Sequence, residues 1–438
     1  MAHQRSEHYL DTVLTGPRRW YTRTAGLQVF VTAACICVAL ALGACGEAKS
    51  IHLVDTSNPG PAANATTAAA TSPVADPRPS RGDAPASTSS SSATGGSESA
   101  PDAGSNLSVN RAIGQMLMSH VTGLTASPRL LARIRGGQVG NVILYSDNIS
   151  SYHQVAALTA SLQQAARAGG NPPVFIGTDQ EGGPVKRLPS LPPTISAQQM
   201  GASANPFAVA RSQGRATGVR LRALGINLDF APVADIPTTS DNFLGERAFG
   251  HSQSSVVDGA GGFAQGLSEA RVAGSAKHFP GLGAAGPRDT DLTVVSIDAS
   301  KSQLQESYLP YISMANLGAL AAPMVMISDA IYPNLDASGL PAVLSKKIVR
   351  GELAVAGMGG RVTITDDLEV PSVQQYRNAA VKAVLAGDDI LMFAQHEAGS
   401  EQAYQMIRAA VANHAIPKSL VLAAANRVIQ LKQELGVG

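Results

Sequence analysis

The chain has 438 residues, 44% of them hydrophobic and 4% aromatic, with a formal net charge of +1. That length allows about two to three domains, and the near-zero charge excludes a nucleic-acid footprint. The scarcity of aromatic residues argues against a stacking-rich binding surface, whereas abundant Ala, Gly and Val suit closely packed helices around a sheet. The three cysteines, Cys35, Cys37 and Cys45, all lie near the N-terminus. Everything after Cys45 therefore lacks a disulfide framework and a thiolate metal site.

Residues 1–44 have the order of a secretory signal peptide. Arg18, Arg19 and Arg23 form a positive region, and an apolar run from Ala25 to Ala44 follows. The run approaches the ~20 residues that span a bilayer, so an uncleaved anchor is the alternative. Small residues ending at a single cysteine favour export: Leu42-Gly43-Ala44-Cys45 resembles the lipobox of bacterial lipoproteins. That resemblance implies cleavage before Cys45, lipidation of its sulfur and a membrane-held protein facing the cell wall. Arg18-Arg19 suggests a twin-arginine route, but Trp20-Tyr21-Thr22 continues that pattern poorly, and the route stays open.

Residues 45–108 are read as the lipidated cysteine and a tether. From about Ala48 the chain is rich in Ser, Ala, Thr, Pro, Gly and Asp, most extremely from Ala86 to Gly96. Such a segment buries too little apolar area to offset the entropy of ordering it. It spaces the body from the membrane.

Residues 109–438 are long enough for one large α/β barrel. Predicted strands are Val139–Tyr145, Val174–Thr178, Leu228–Val233, Ser275–Phe279, Met324–Ile327, Val362–Thr365 and Ile390–Phe393. Predicted helices are Tyr152–Ala168, Ala208–Leu224, Gln253–Ala273, Ser302–Asn316, Asn378–Ala386, Glu401–Asn413 and Ser419–Leu435. Short apolar strands alternating with longer amphipathic helices imply a parallel sheet with crossover helices. An open doubly wound sheet gives the same alternation. Polar residues at the strand ends favour a closed (β/α)₈ barrel of the TIM type: Asp179-Gln180-Glu181, Asp229, Asp235, Lys277-His278, Asp329 and Asp366-Asp367. Closure brings such ends to one face, where barrel active sites lie.

Four segments carry the chemistry. Asp366-Asp367 leaves the β-branched run Val362-Thr363-Ile364-Thr365, and strand alternation lets only one of the two carboxylates face a site. It reads either as a helix N-cap or as a carboxylate nucleophile. Lys277-His278-Phe279-Pro280-Gly281 places two donors before a sharp turn, as sugar hydroxyls would require. The run Gly281 to Gly286 matches a dinucleotide fingerprint literally, but Pro287-Arg288-Asp289 is a poor helix start and the match is rejected. Asp179 to Arg187 and Gly245 to Gly250 are either charged loops or substrate contacts, Arg247 included.

In chain order these segments resemble glycoside hydrolase family 3, in particular its bacterial β-N-acetylglucosaminidases. The resemblance covers about Val109 to Gly438 and includes Phe230-Ala231-Pro232-Val233 and Ala386 to Leu391. It implies that Asp366, after Ile364-Thr365, is the nucleophile of a retaining hydrolysis. It implies that Asp179, Arg187, Arg247, Lys277 and His278 bind the sugar, with no cofactor and no metal. One departure touches chemistry. The family's acetylglucosaminidases carry an Asp-Ser-His segment after the Pro-Gly loop, whose His is the acid/base; here Asp289-Thr290-Asp291 stands there.

Asp291, with Asp289 beside it, is then the candidate proton donor, its pKa raised by like charge. The implied substrates are N-acetylglucosamine-containing saccharides or muropeptides, met outside the membrane by a monomer during peptidoglycan turnover. The alternatives are a β-glucosidase or glycoside phosphorylase on the same scaffold, or a sugar-binding lipoprotein with little or no turnover.

Overall fold

The computed structural model describes residues 107–438. The signal-peptide and tether readings, and lipidation at Cys45, fall outside them. Eight parallel strands close into a barrel in chain order. They are β1 (Leu117–His120), β2 (Asn141–Leu144), β3 (Phe175–Thr178), β4 (Leu228–Asp229), β5 (Ala273–Phe279), β6 (Met324–Ile327), β7 (Val362–Asp367) and β8 (Ile390–Phe393). The last pairs with the first, Leu391 opposite Leu117, so the open-sheet alternative is excluded.

Two faces of each strand explain the closure. Met118, Ile143, Phe175, Met324, Ile364 and Met392 belong to one apolar cluster, while their chain neighbours Val142, Ile176 and Leu391 pack into others. This period of two fills the barrel from within and seats helices outside. The helices begin where capping residues dictate. Ser127 accepts from the N–H of Leu130 before α1 (Pro128–Arg135), and Ser151 accepts from Gln154 before α2 (Tyr152–Ala168). Asn205 and Ser252 do the same for α3 (Pro206–Ala223) and α4 (Gln253–Glu269). The C-terminal helix α5 (Lys418–Leu435) closes the N-terminal end of the barrel, where Val428, Leu431 and Leu435 join the interior cluster. The opposite end stays open for a site.

Several boundaries differ from the sequence reading, each for a local reason. β1 was not predicted: Leu117–His120 is short, without β-branched residues, and directly follows a seven-residue helix, Val109–Gln115. The predicted strand over 228–233 is a strand only at Leu228–Asp229; its continuation leads into a cis Ala231–Pro232 bond. The helix predicted to Ala273 ends at Glu269, because Arg271 turns at φ 55° and Ala273 begins β5. The predicted helix over 302–316 is broken into Lys301–Glu306 and Leu309–Asn316, with Pro310 in the first turn of the second piece.

Helices α3 and α4 cover the strands that bear Asp229, Lys277 and His278, and they touch through glycines. A Cβ on Gly266 would lie 2.2 Å from the Arg211 carbonyl oxygen, and one on Gly214 2.3 Å from that of Phe263. Backbone cannot yield as a flexible side chain can. Gly266→Ala is expected to destabilise the fold by about 1–3 kcal/mol through overpacking, measured by urea denaturation. Gly351→Ala, with no atom within 4 Å of its new methyl, should not show that loss.

Candidate active site

A cavity of about 350 Å³ opens at the C-terminal ends of the strands. Every catalytic or sugar-binding residue expected from the sequence lines it: Asp366, Asp289 and Asp291, Asp179 and Arg187, and Arg247, Lys277 and His278. The loop from Gly281 to Gly286 opens no helix, in keeping with rejection of a phosphate loop.

Strand ends supply more side chains than simple alternation allows. Between Ala276 and Phe279, β5 advances three residues against two on β6. Between Ile364 and Asp367, β7 advances three against two on β8. An extra residue in one strand re-aims its neighbours. Hence Lys277 and His278 both reach the cavity, and so do Asp366 and Asp367. The expectation that only one of the two aspartates faces the site is corrected by this bulge.

One half of the cavity is charge-matched. Lys277 Nζ lies 2.8 Å from Asp179 Oδ1 and 2.7 Å from Glu181 Oε1. Arg247 grips Glu181 with two bonds, Nε at 2.8 Å and Nη2 at 2.9 Å. Arg187 meets Asp179 at 3.3 Å and stacks 4.9 Å over the Tyr145 ring. Burial alone would raise the Glu181 carboxyl, but Arg247 and Lys277 outweigh it and hold its pKa down to about 2. The same contest, won chiefly by Lys277, lowers Asp179. The tight turn beneath this network needs glycine: Gly182 and Gly183 have φ of 104° and 56°. On the neighbouring wall, His278 Nδ1 lies 2.7 Å from Asp235 Oδ2, and Asp235 also accepts from the N–H groups of His278 and Leu282.

The other half holds carboxyl groups without matching cations. Burial, then the Asp329 carboxyl, pushes Asp366 up to about 8. Burial pushes Asp367 up to about 6, although Gln395 and the N–H groups of Ala394 and Glu369 donate to it. Asp291 stands at the solvent-reached mouth, and the surrounding walls followed by Asp289 raise it too. Beneath the matched half, buried Asp229 accepts from the Gln180 N–H at 2.9 Å, and burial pushes it up to about 8.

The arrangement can orient a polyhydroxylated ring with fixed donors and acceptors, offer a carboxylate to one of its carbons and supply a proton from a second carboxyl. Sequence reasoning gave no role to Glu181 or Asp235, which set the geometry of Lys277, Arg247 and His278. The signal was present, since both are acidic residues just beyond strand ends. Tyr145 and Gln395 carried no comparable signal, because their entry depends on neighbouring loops, whereas Asp367 was visible as a strand-end acid and only its entry beside Asp366 depends on the bulge.

Residues 108–431 match the glycosyl hydrolase family 3 N-terminal domain. The chain belongs to that family of glycosyl hydrolases. It is 36% identical over 287 residues to an uncharacterized secreted glycosyl hydrolase of Arthroderma benhamiae, covering 64% of this chain and 80% of that protein. It is 33% identical over 293 residues to a beta-hexosaminidase of Bordetella parapertussis, covering 63% of this chain and 78% of that one. Its fold superposes on a family 3 beta-N-acetylglucosaminidase from Paenibacillus sp. with a TM-score of 0.72 and 30% identity. That likeness covers 76% of this chain, which spans only 63% of the Paenibacillus chain. The barrel of this family member is thus shared with hydrolases of amino sugars.

Glu181 offers a direct test of the charge-matched half. Its pKa lies below the ordinary 4.5, so its stabilising contribution is complete above pH 4.5 and is lost as pH falls through about 2. Glu181→Gln leaves Lys277 and Arg247 buried with too few carboxylates, at an expected cost of about 3–5 kcal/mol at pH 7. In urea denaturation the gap between parent and variant should narrow as pH falls from 4.5 toward 2.

Proposed function

We propose that this chain is a retaining β-N-acetylglucosaminidase in which Asp366 attacks the anomeric carbon. The observation that carries the reading is that Asp366 leaves β7 into the same cavity as Lys277, His278, Arg247 and the Asp289–Asp291 loop. Retaining glycosidases need a carboxylate nucleophile and a second group that first gives and then recovers a proton. Asp291 takes the second role, because its loop reaches the cavity and carries no histidine.

In the first step the Asp366 carboxylate bonds to C1 while Asp291 protonates the departing glycosidic oxygen. In the second, water attacks C1, gives its proton to Asp291, and Asp366 departs. Lys277, Arg247, Asp179 and His278 hold the ring hydroxyls throughout. Fixed positioning of this kind accounts for a large share of glycosidase rate enhancement.

The substrate in this reading is a peptidoglycan fragment ending in β-linked N-acetylglucosamine. Its supports are the exported character of residues 1–44, the lipobox-like Leu42-Gly43-Ala44-Cys45 and the amino-sugar hydrolases among the relatives. Lipidation at Cys45 holds the enzyme on the outer face of the membrane. Cys45→Ala is then expected to move the protein from the membrane fraction to the soluble fraction.

Asp366→Ala should lower kcat on an aryl N-acetyl-β-glucosaminide by more than about a thousandfold, since it removes the covalent step. Asp291→Ala should slow a methylumbelliferyl leaving group far more than a dinitrophenyl one. Preference for the matching glucoside, or a rate that depends on inorganic phosphate, would instead indicate a β-glucosidase or a phosphorylase. Unchanged turnover by the Asp366 variant removes the nucleophile assignment.

A further inference from the structure

Asp367 has no role in the mechanism above, although it directly follows the nucleophile and is buried in the wall of the same cavity. Both of its oxygens are taken. Oδ1 accepts from the N–H groups of Glu369 at 3.0 Å and Ala394 at 3.1 Å, and Oδ2 accepts from Gln395 Nε2 at 2.9 Å. The Gln395 amide can face only this way. Its Nε2 also meets the Glu369 carbonyl at 3.3 Å, and a backbone carbonyl accepts but never donates. One carboxyl group therefore ties the chain after β7 to the chain after β8.

The tie lies where the ladder itself is irregular. Between Ile364 and Asp367, β7 carries one residue more than β8, so regular pairing alone does not set the direction of its last residues. Cross-strand bonds here include Met392 N–H to Thr365 Oγ1 at 3.0 Å and Leu368 N–H to the Met392 carbonyl at 3.1 Å, besides those from Ala394 and Gln395 to Asp367.

The consequence falls on Asp366. The N–H of Asp367 donates to Asp366 Oδ1 at 2.9 Å. Asp366 Oδ2 has no hydrogen-bond partner among the described residues, so it is the oxygen left for a ligand in the cavity that Asp366 lines. The N–H keeps its aim only while residue 367 is held, and the three bonds to its side chain hold it.

We propose that Asp367 is the positioning residue of the nucleophile: its carboxyl clamps the ends of β7 and β8, and its own N–H fixes Asp366 Oδ1 so that Oδ2 is presented to the anomeric carbon. In the attack, an Oδ2 electron pair bonds to C1 while the bond from C1 to the leaving oxygen breaks, and Asp291 protonates that oxygen. Asp367 makes and breaks no covalent bond. Its N–H also favours the ionised form of Asp366, as His278 does, whereas Asp329 and Asp291 oppose it. A misplacement of about 1 Å in a reacting group can cost about a hundredfold in rate, so the clamp bears directly on the chemical step.

This role rests on the proposed hydrolysis, and the full chain tests it with a fluorinated N-acetylglucosaminyl fluoride, which labels a carboxylate nucleophile and is released slowly. Mass spectrometry at saturating reagent reads both the rate of labelling and the final share of chains labelled on Asp366. Asp367→Asn keeps an oxygen for the two backbone N–H groups but sets an amide NH₂ against Gln395 Nε2, donor against donor. It should be labelled about tenfold to a hundredfold more slowly than the parent, yet to the same final extent. Adding Gln395→Glu places an acceptor opposite the new donor and should recover most of the lost rate. A merely structural role would lower the share of chains labelled, leave the rate of the remainder unchanged and gain nothing from the second substitution. Labelling of Asp367→Asn at the parent's rate overturns the proposal, as does a double variant no faster than the single one. Gln395→Met, changed only at an exposed position, covers the case in which Asp367→Asn fails to fold. Losing one bond to the clamp should slow its labelling about fivefold, and the parent's rate overturns the proposal. A parent that takes no label overturns the hydrolase reading and this role with it, whereas a labelled parent confines any failure to Asp367.

Discussion

A carboxyl group taken out of water must find a cation, a set of N–H donors or a proton, and the cavity rim is organised by how each acid meets that demand. Asp179 and Glu181 meet it with Lys277, Arg247 and Arg187. Asp235 meets it with the His278 ring and two backbone N–H groups. Asp229, Asp329 and Asp366 have no cation paired with them, and burial pushes their pKa values up to about 8, 7 and 8. The first group can fix a sugar without moving, because every charge in it is already opposed. Of Asp229, Asp329 and Asp366, only Asp366 lines the cavity, where it can meet a substrate. Binding and chemistry are thereby separated across one cavity.

The barrel makes this separation possible by directing all strand ends to one face and then departing from regularity at two of them. A regular strand would send Lys277 and His278 to opposite sides, and likewise Asp366 and Asp367. The extra residue in β5 and the one in β7 bring both members of each pair to the rim. Bulges cost ladder regularity but re-aim side chains, which suits strand ends beside a site. The opposite end of the barrel has no such irregularity to support. There α5 adds Val428, Leu431 and Leu435 to the interior cluster.

What could be read from the sequence followed from local chemistry. Val362-Thr363-Ile364-Thr365 is β-branched and apolar on alternate faces, and β7 lies there. Tyr152–Ala168 is amphipathic and capped by Ser151, and its bounds agree with the structure. Strand-end acids and bases pointed to the right face because parallel closure is the simplest way to gather them. Features that depend on non-local contact were not legible. β1 exists because Met118 fills the barrel beside Ile143 and Met392, and no local signal marks that. The bulge at Asp366 is a matter of register between two strands, which neither strand encodes alone. Glu181 could be seen as an acid, but its grip on Arg247, 66 residues away, could not.

The same logic bears on the missing histidine. An imidazole in the acid loop would exchange a proton near neutrality with little help from its surroundings. An aspartate near its reference pKa of about 3.9 would not. Replacing one by the other is therefore tolerable only where the pocket itself raises the carboxyl, and for Asp291, the proton donor of the proposed mechanism, the surrounding walls and then Asp289 do so. Asp289 stands two residues away and accepts the Asp291 N–H at 3.0 Å, which fixes the two acids side by side. Thr290 is buried between them, so the loop cannot swing freely into water. The departure from the family pattern at one position is thus matched by a second acid in the same loop, and in the proposed mechanism Asp289 and Asp291 act as a single unit.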